Sequence, residues 1–184
     1  MFYWQITKYD PENRDATGVY LKNEWTDYGE VGRTFDGKKL TFAEYLEVEA
    51  KYIQAVLLFM ECLDIDSLKV IKLIHRARYQ KKALIDGKKI INDTYCNYEM
   101  IVFLVQAVLR NKVGCMLALD DKMYVHFGWD YYMYIGSSKA CKSTIKKNSR
   151  TDFLLKSQCG NSFLKKKMMN RTAKPLRYFQ KIGV

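Results

Sequence analysis

The sequence predicts an α+β domain: a mostly antiparallel sheet, built from an N-terminal strand and a C-terminal β-meander, packed on two long helices. Three observations carry this. Residues 2–9 alternate apolar and polar; residues 42–63 and 93–111 repeat apolar side chains at helical spacing; and residues 113–119, 123–127 and 131–135 are β-rich runs joined by short turns. The expected single domain covers residues 1–147, followed by a basic, irregular C-terminal tail over 148–184.

The elements follow from local chemistry. In residues 2–9, Phe2, Trp4 and Ile6 share one face of a half-buried strand, and Asp10-Pro11-Glu12-Asn13 is a turn. A short second strand is expected over 18–25, then an irregular stretch around Gly29, Gly32 and Gly37 with one short helical turn. Thr41-Phe42-Ala43-Glu44 reads as a capping box, since Thr41 can accept from the third amide while Glu44 reaches back. Tyr45, Val48, Tyr52, Val56, Phe59 and Leu63 then mark a helix whose 55–60 section is apolar all round and central to the core. Residues 67–75 form a strand. Asp93 is the expected N-cap of a second long helix, with Tyr98, Ile101, Val102, Val105, Val108 and Leu109 on its inner face. After the meander, Ser137 or Ser138 is expected to cap a short helix through Lys147, and residues 151–155 to form one more strand.

Composition narrows the class of protein. With 184 residues and 48% hydrophobic content, the chain can bury one good core. Its longest clean apolar run, 55–60, falls far short of the roughly 18 residues of a membrane span, so no membrane partner is expected. The start, Met1-Phe2-Tyr3-Trp4-Gln5, lacks the basic region and cleavage site of a secretory signal. Five widely spaced cysteines, an odd number with no C-x-x-C pair, suit free thiols in a reducing, cytoplasmic setting better than disulfides or zinc.

The net charge of +11 is unevenly placed: residues 1–138 carry 18 cationic and 19 acidic residues, whereas 139–184 carry 13 cations and only Asp152. Such a tail suits nucleic acid, so residues 139–184 are a candidate electrostatic footprint. A second reading is that part of the tail is out of frame. Lys166-Lys167-Met168-Met169-Asn170-Arg171 is what a one-base displacement reads from GAA GAA GAT GAT GAA TAG, an ordinary acidic terminus in the other frame.

The densest chemistry lies at 124–134, where six of eleven residues are Tyr, Phe or Trp. Alternation places Tyr124 with His126 on one face of their strand and Tyr132 with Tyr134 on one face of the next. Gly128-Trp129-Asp130 is the connection that presents the indole. Tyr124, His126, Trp129, Asp130, Tyr132 and Tyr134 are therefore the expected binding residues, for a protein or for stacked bases. The plainer account is that these rings cap the core with their hydroxyls in water. His75 and His126 are the only histidines, and nothing in their spacing joins them as an acid–base pair. Asp120 and Asp121 read as turn residues and not as partners of His126 for a metal. Phosphate-cradling and serine-hydrolase motifs are absent from the sequence, so neither an enzyme nor a cofactor is expected. Residues 1–50 hold ten acids against six bases, a surface that could steer a basic partner.

Glu24-Trp25-Thr26, together with the run from His126 to Gly136, resembles small cytosolic bacterial proteins of the polymorphic-toxin immunity type. The resemblance extends to about Lys142 and assigns no site residue. It implies a non-enzymatic interaction module that occludes a toxin, such as a basic toxin domain. The alternative is a nucleic-acid-binding protein using the basic segment and the tyrosine-rich sheet.

Overall fold

A computed structural model describes residues 1–75, 84–142 and 154–157, with His75 and residues 154–157 described by backbone alone. The class is α+β, as expected. In chain order the elements are β1 (Phe2–Thr7), the small hairpin β2 (Thr34–Phe35) and β3 (Lys38–Lys39), α1 (Phe42–Leu63), β4 (Leu68–His75) and β5 (Tyr95–Cys96). Then come α2 (Tyr98–Leu109), β6 (Val113–Leu119), β7 (Met123–Phe127), β8 (Met133–Ser137) and β9 (Leu154–Ser157). Seven strands form one sheet in the order β5-β4-β6-β7-β8-β1-β9, and every neighbouring pair is antiparallel.

Alternation makes the sheet two-faced. Trp4, Ile135, Val125, Leu117 and Val70 lie in one cross-strand row, all buried, on the face that meets both helices. Helix α1 starts where the capping box places it: Thr41 accepts from the Glu44 amide and Glu44 receives the Thr41 amide at 2.9 Å. Its Tyr52, Ala55, Val56, Phe59 and Met60 are almost wholly buried, which makes it the centre of the core.

Four local expectations are corrected. No strand forms over 18–25: Asp15 collects the amides of Thr17 and Val19 into a compact turn, leaving only an isolated bridge between Arg14 and Tyr20. The second helix is short, because Asn97 and not Asp93 is its N-cap, accepting from the Met100 amide at 3.1 Å. Asp93 and Thr94 instead satisfy the backbone of Val70, at 2.7 and 2.9 Å, and extend the sheet edge. The third meander strand begins at Met133, since Tyr131 has φ +58° and turns into the core. Finally, Cys62 and Cys141 are disulfide-bonded, so the free-thiol expectation holds among the described residues only for buried Cys96 and Cys115. Spacing along the chain gave no hint of that pair; the fold brings the last turn of α1 to the segment after β8.

The helix expected through Lys147 falls largely outside the described residues, and Ser137 closes β8 instead of capping it. Of the strand expected over 151–155, residues 151–153 lie outside the described residues, and Leu154–Ser157 form β9, paired with the outer edge of β1, so the sheet draws on chain beyond position 147. Most of 148–184, and with it the reading-frame question, lies outside the described residues.

One buried ion pair joins the helices. Glu49 is 1% exposed, and Arg110 grips its carboxylate through Nε at 2.7 Å and a second nitrogen at 2.6 Å. Tyr45 donates to the same carboxylate at 2.9 Å and Gln106 at 3.3 Å. Removing Arg110 strands the Glu49 carboxylate away from water. Arg110→Ala is therefore expected to cost about 3 kcal/mol, read as a lower urea midpoint at unchanged slope. Replacing Glu49 and Arg110 together by Met should recover most of that loss. Equal midpoints for Arg110→Ala and wild type would show that the pair does not organise the fold.

Candidate functional site

The sheet face away from the helices carries three of the six expected binding residues, Tyr124, His126 and Tyr134. Register sets Tyr3, Gly136, Tyr124, Ala118 and Lys69 in one row across five strands. Gln5, Tyr134, His126, Met116 and Ile71 form the next. All but Gly136 are half-buried, and both described helices pack on the other face. Tyr124, His126 and Tyr134 are thus brought together. The His126 and Tyr134 rings stack at 6.2 Å and 24°, and Gln5 donates to the Tyr134 hydroxyl at 3.4 Å.

Gly136 explains how Tyr124 lies. A methyl group at that position would stand 2.1 Å from Tyr124 Cε1 and 2.6 Å from Cδ1, so the ring rests directly on the glycine backbone. It leans across β8 toward Tyr3, with ring centres 6.3 Å apart. Burial raises the Tyr124 hydroxyl above the ordinary tyrosine range, which keeps it a neutral hydrogen-bonding group. The His126 imidazole is shifted downward, first by burial and then by the Lys72 ammonium. Lys72 reaches it because β4 carries a bulge between Ile71 and Ile74, with Lys72 at φ +52°.

Trp129, Asp130 and Tyr132 form a second group at the tip of the β7–β8 hairpin. Trp129 is 62% exposed and Asp130, at φ +53°, is exposed beside it. Tyr132 precedes β8 and turns to the N-terminal excursion, residues 8–33 between β1 and β2: its hydroxyl accepts from Arg14, and its ring lies 5.4 Å from that of Tyr9. Arg14 also donates to the Gly18 carbonyl at 2.7 Å and sits over the Tyr20 ring at 5.4 Å. Under this surface, Lys8 pairs with Glu24 at 3.0 Å and lies 4.0 and 4.3 Å from the rings of Tyr9 and Trp25. Burial lowers the Lys8 ammonium's pKa, against the opposing pull of Glu24. Tyr20 completes the cluster by donating to Glu24 at 2.6 Å.

Sequence spacing gave no sign of Lys8, Arg14, Tyr20 or Glu24 as neighbours of the hairpin. The one available signal was the concentration of Tyr3, Tyr9, Tyr20, Trp25 and Tyr28 within the first 28 residues. His75 stands opposite Val113 and His126 opposite Met116, so backbone register holds the two histidines on strands separated by β6. Among the described residues no group of three or more His, Cys, Asp or Glu is arranged to hold a metal ion. No described helix is long and apolar enough to cross a membrane.

Two measurements test this geometry. Gly136→Ala is expected to displace the Tyr124 ring and cost about 1–3 kcal/mol, and to cost clearly less in a Tyr124→Ala background. Equal costs in both backgrounds would mean that the ring does not rest on the glycine. For His126, the unfolded chain takes up its proton at higher pH than the native protein. That contribution to stability is complete above the ordinary value of 6.5 and is lost as pH falls below it toward the lowered native value. The melting temperature should therefore fall more between pH 7.5 and 5.5 in wild type than in His126→Gln. Parallel curves would assign the fall to other groups.

No family model, curated protein or solved structure matches the chain.

Proposed function

We propose that this is a non-enzymatic protein-interaction module of the immunity type, acting by occlusion of a basic partner such as a toxin domain. The observation that carries the reading is the junction at Tyr132. The aromatic hairpin and the acidic N-terminal excursion, two separate candidates in the sequence, meet there through Arg14 and Tyr9. Trp129 is 62% exposed on the hairpin, and Val19 is 58% and Leu21 67% exposed on the excursion. Asp10, Glu12, Asp15 and Asp130 are exposed on the same two segments, with Lys22. Exposed apolar side chains of this size, rimmed by charge, are characteristic of binding surfaces.

Occlusion asks for a rigid, complementary surface and no reactive group. Rigidity is supplied from below by the Lys8–Glu24 pair and its aromatic neighbours. The acids set partner preference, since complementary charge speeds encounter and excludes like-charged competitors. A cytosolic setting belongs to the same proposal. The nucleic-acid alternative rests chiefly on residues 139–184, which lie almost wholly outside the described residues.

The test uses the product of the gene next to this one, the usual arrangement for a toxin and its immunity protein. Calorimetry should show binding to wild type and, for Trp129→Ala, a loss of about 2 kcal/mol or more, roughly thirtyfold in Kd, with an unchanged melting temperature. A lower melting temperature with unchanged affinity would make Trp129 a packing residue and sink the surface.

A further inference from the structure

β5 is the outermost strand at one end of the sheet, separated from the hairpin strands β7 and β8 by β4 and β6. Val70 of β4 donates to the Thr94 carbonyl at 2.9 Å and accepts from the Asp93 amide at 2.7 Å, and Leu68 stands opposite Cys96. Bonds in an antiparallel ladder alternate along the strand. Tyr95, opposite Lys69 and between those two positions, therefore turns its own amide and carbonyl to the outer side. No described strand pairs with them there. The edge is short, and it is open.

Beside it, where β5 leads into α2, the surface holds a groove of about 340 Å³. Ile90 and Cys96 are buried and Met100 half-buried in its lining, while Ile91 at 49% and Tyr95 at 55% exposure are its open apolar members. Lys89 is the charged residue of the lining, and no described acid lies within ion-pair distance of it. The nearest acids in sequence are engaged elsewhere: Asp86 by Lys112, and Asp93 by Lys69 at 3.1 Å. Lys88, exposed beside Lys89, adds a second cation and lies 4.8 Å above the Phe103 ring. The groove is apolar within and positive at its rim.

We infer that this edge docks an extended peptide segment of apolar and acidic composition, a second interaction surface apart from the hairpin. The outward amide and carbonyl of Tyr95 select main chain in the extended form, which can answer both. Successive side chains of an added strand point to opposite sides. One apolar side chain then enters the groove, and a neighbouring carboxylate meets Lys89. Charge sets the preference, since like-charged segments are excluded. Residues 139–184, with 13 cations against Asp152 alone, carry the wrong sign to be that segment.

Fluorescence polarisation with a dye-labelled heptapeptide on the full chain tests this. The probe alternates valine and threonine around a central aspartate. It is compared with a version carrying lysine at the centre and with one N-methylated at the central amides. Either change should weaken binding about tenfold or more. Lys89→Glu, an exposed substitution, should reverse the preference so that the lysine probe binds better. Saturating probe should slow hydrogen exchange over residues 94–96 and leave β7 and β8 unchanged. Absence of saturable binding up to millimolar probe would overturn the inference, and so would equal binding of the N-methylated version or an unreversed preference in Lys89→Glu. Should that variant fail to fold, the N-methylated probe decides alone. A dimer in sedimentation without peptide, dispersed by the probe, would put a second copy of this chain on the edge and overturn the peptide as its occupant.

Discussion

A buried carboxylate sets the arrangement of this fold. Glu49 sits in the second turn of α1 with almost no access to water, a position that is costly for a charge without partners. Arg110, at the end of α2, answers it with two hydrogen bonds, and the paired Glu49 in turn holds the guanidinium in its charged form, its pKa raised. The two helices must therefore meet at that point. The Tyr45 hydroxyl donates a hydrogen bond to Glu49 and lies 3.1 Å from the hydroxyl of Tyr131, which donates to the Leu109 carbonyl at 2.8 Å. Tyr52 closes the circuit by donating to the Tyr131 carbonyl. The bonds to Leu109, Tyr45 and Tyr52 are made with Tyr131 turned inward, in a left-handed backbone conformation between two strands.

The hairpin surface follows from that inward turn. With Tyr131 drawn into the core, its neighbours are driven out: Asp130 and Trp129 at the tip, Tyr132 toward the N-terminal excursion. Two adjacent residues at positive φ, Asp130 and Tyr131, are the local cost of this geometry. The hydrogen bonds on the Tyr131 hydroxyl and carbonyl offset it. Interior chemistry and surface presentation are thus one constraint seen from two sides.

Most of the architecture was legible because it rests on periodicity. The alternation in β1, β6 and β7, the helical repeat of α1 and the Thr41–Glu44 box all survive contact with the structure, since tertiary packing only reinforces them. The misreadings have a common cause: backbone and side-chain groups claimed by partners distant in sequence. Asp93 reads as a helix cap until Val70 needs partners, and Asn97 takes the cap instead. Tyr131 reads as a strand residue until the Glu49 cluster claims its hydroxyl. Of the site, Tyr124, His126 and Tyr134 were readable as one face from alternation alone. Arg14, Lys8 and Glu24 were not, because loop residues meet the hairpin through tertiary geometry that no spacing encodes.

The two faces of the sheet divide the labour of the molecule. The helical face is fully committed to burial and to the Glu49 network, leaving little room for adaptation. The other face is built from half-buried rings whose positions depend on backbone shape: Tyr124 on bare Gly136, His126 beside a bulge that brings Lys72 within electrostatic reach. Neutral hydroxyls, an imidazole shifted toward its uncharged form and stacked rings give this face a broad contact area. The placement of those rings follows from cross-strand register, a bulge and a bare glycine, where the helical face follows from side-chain packing.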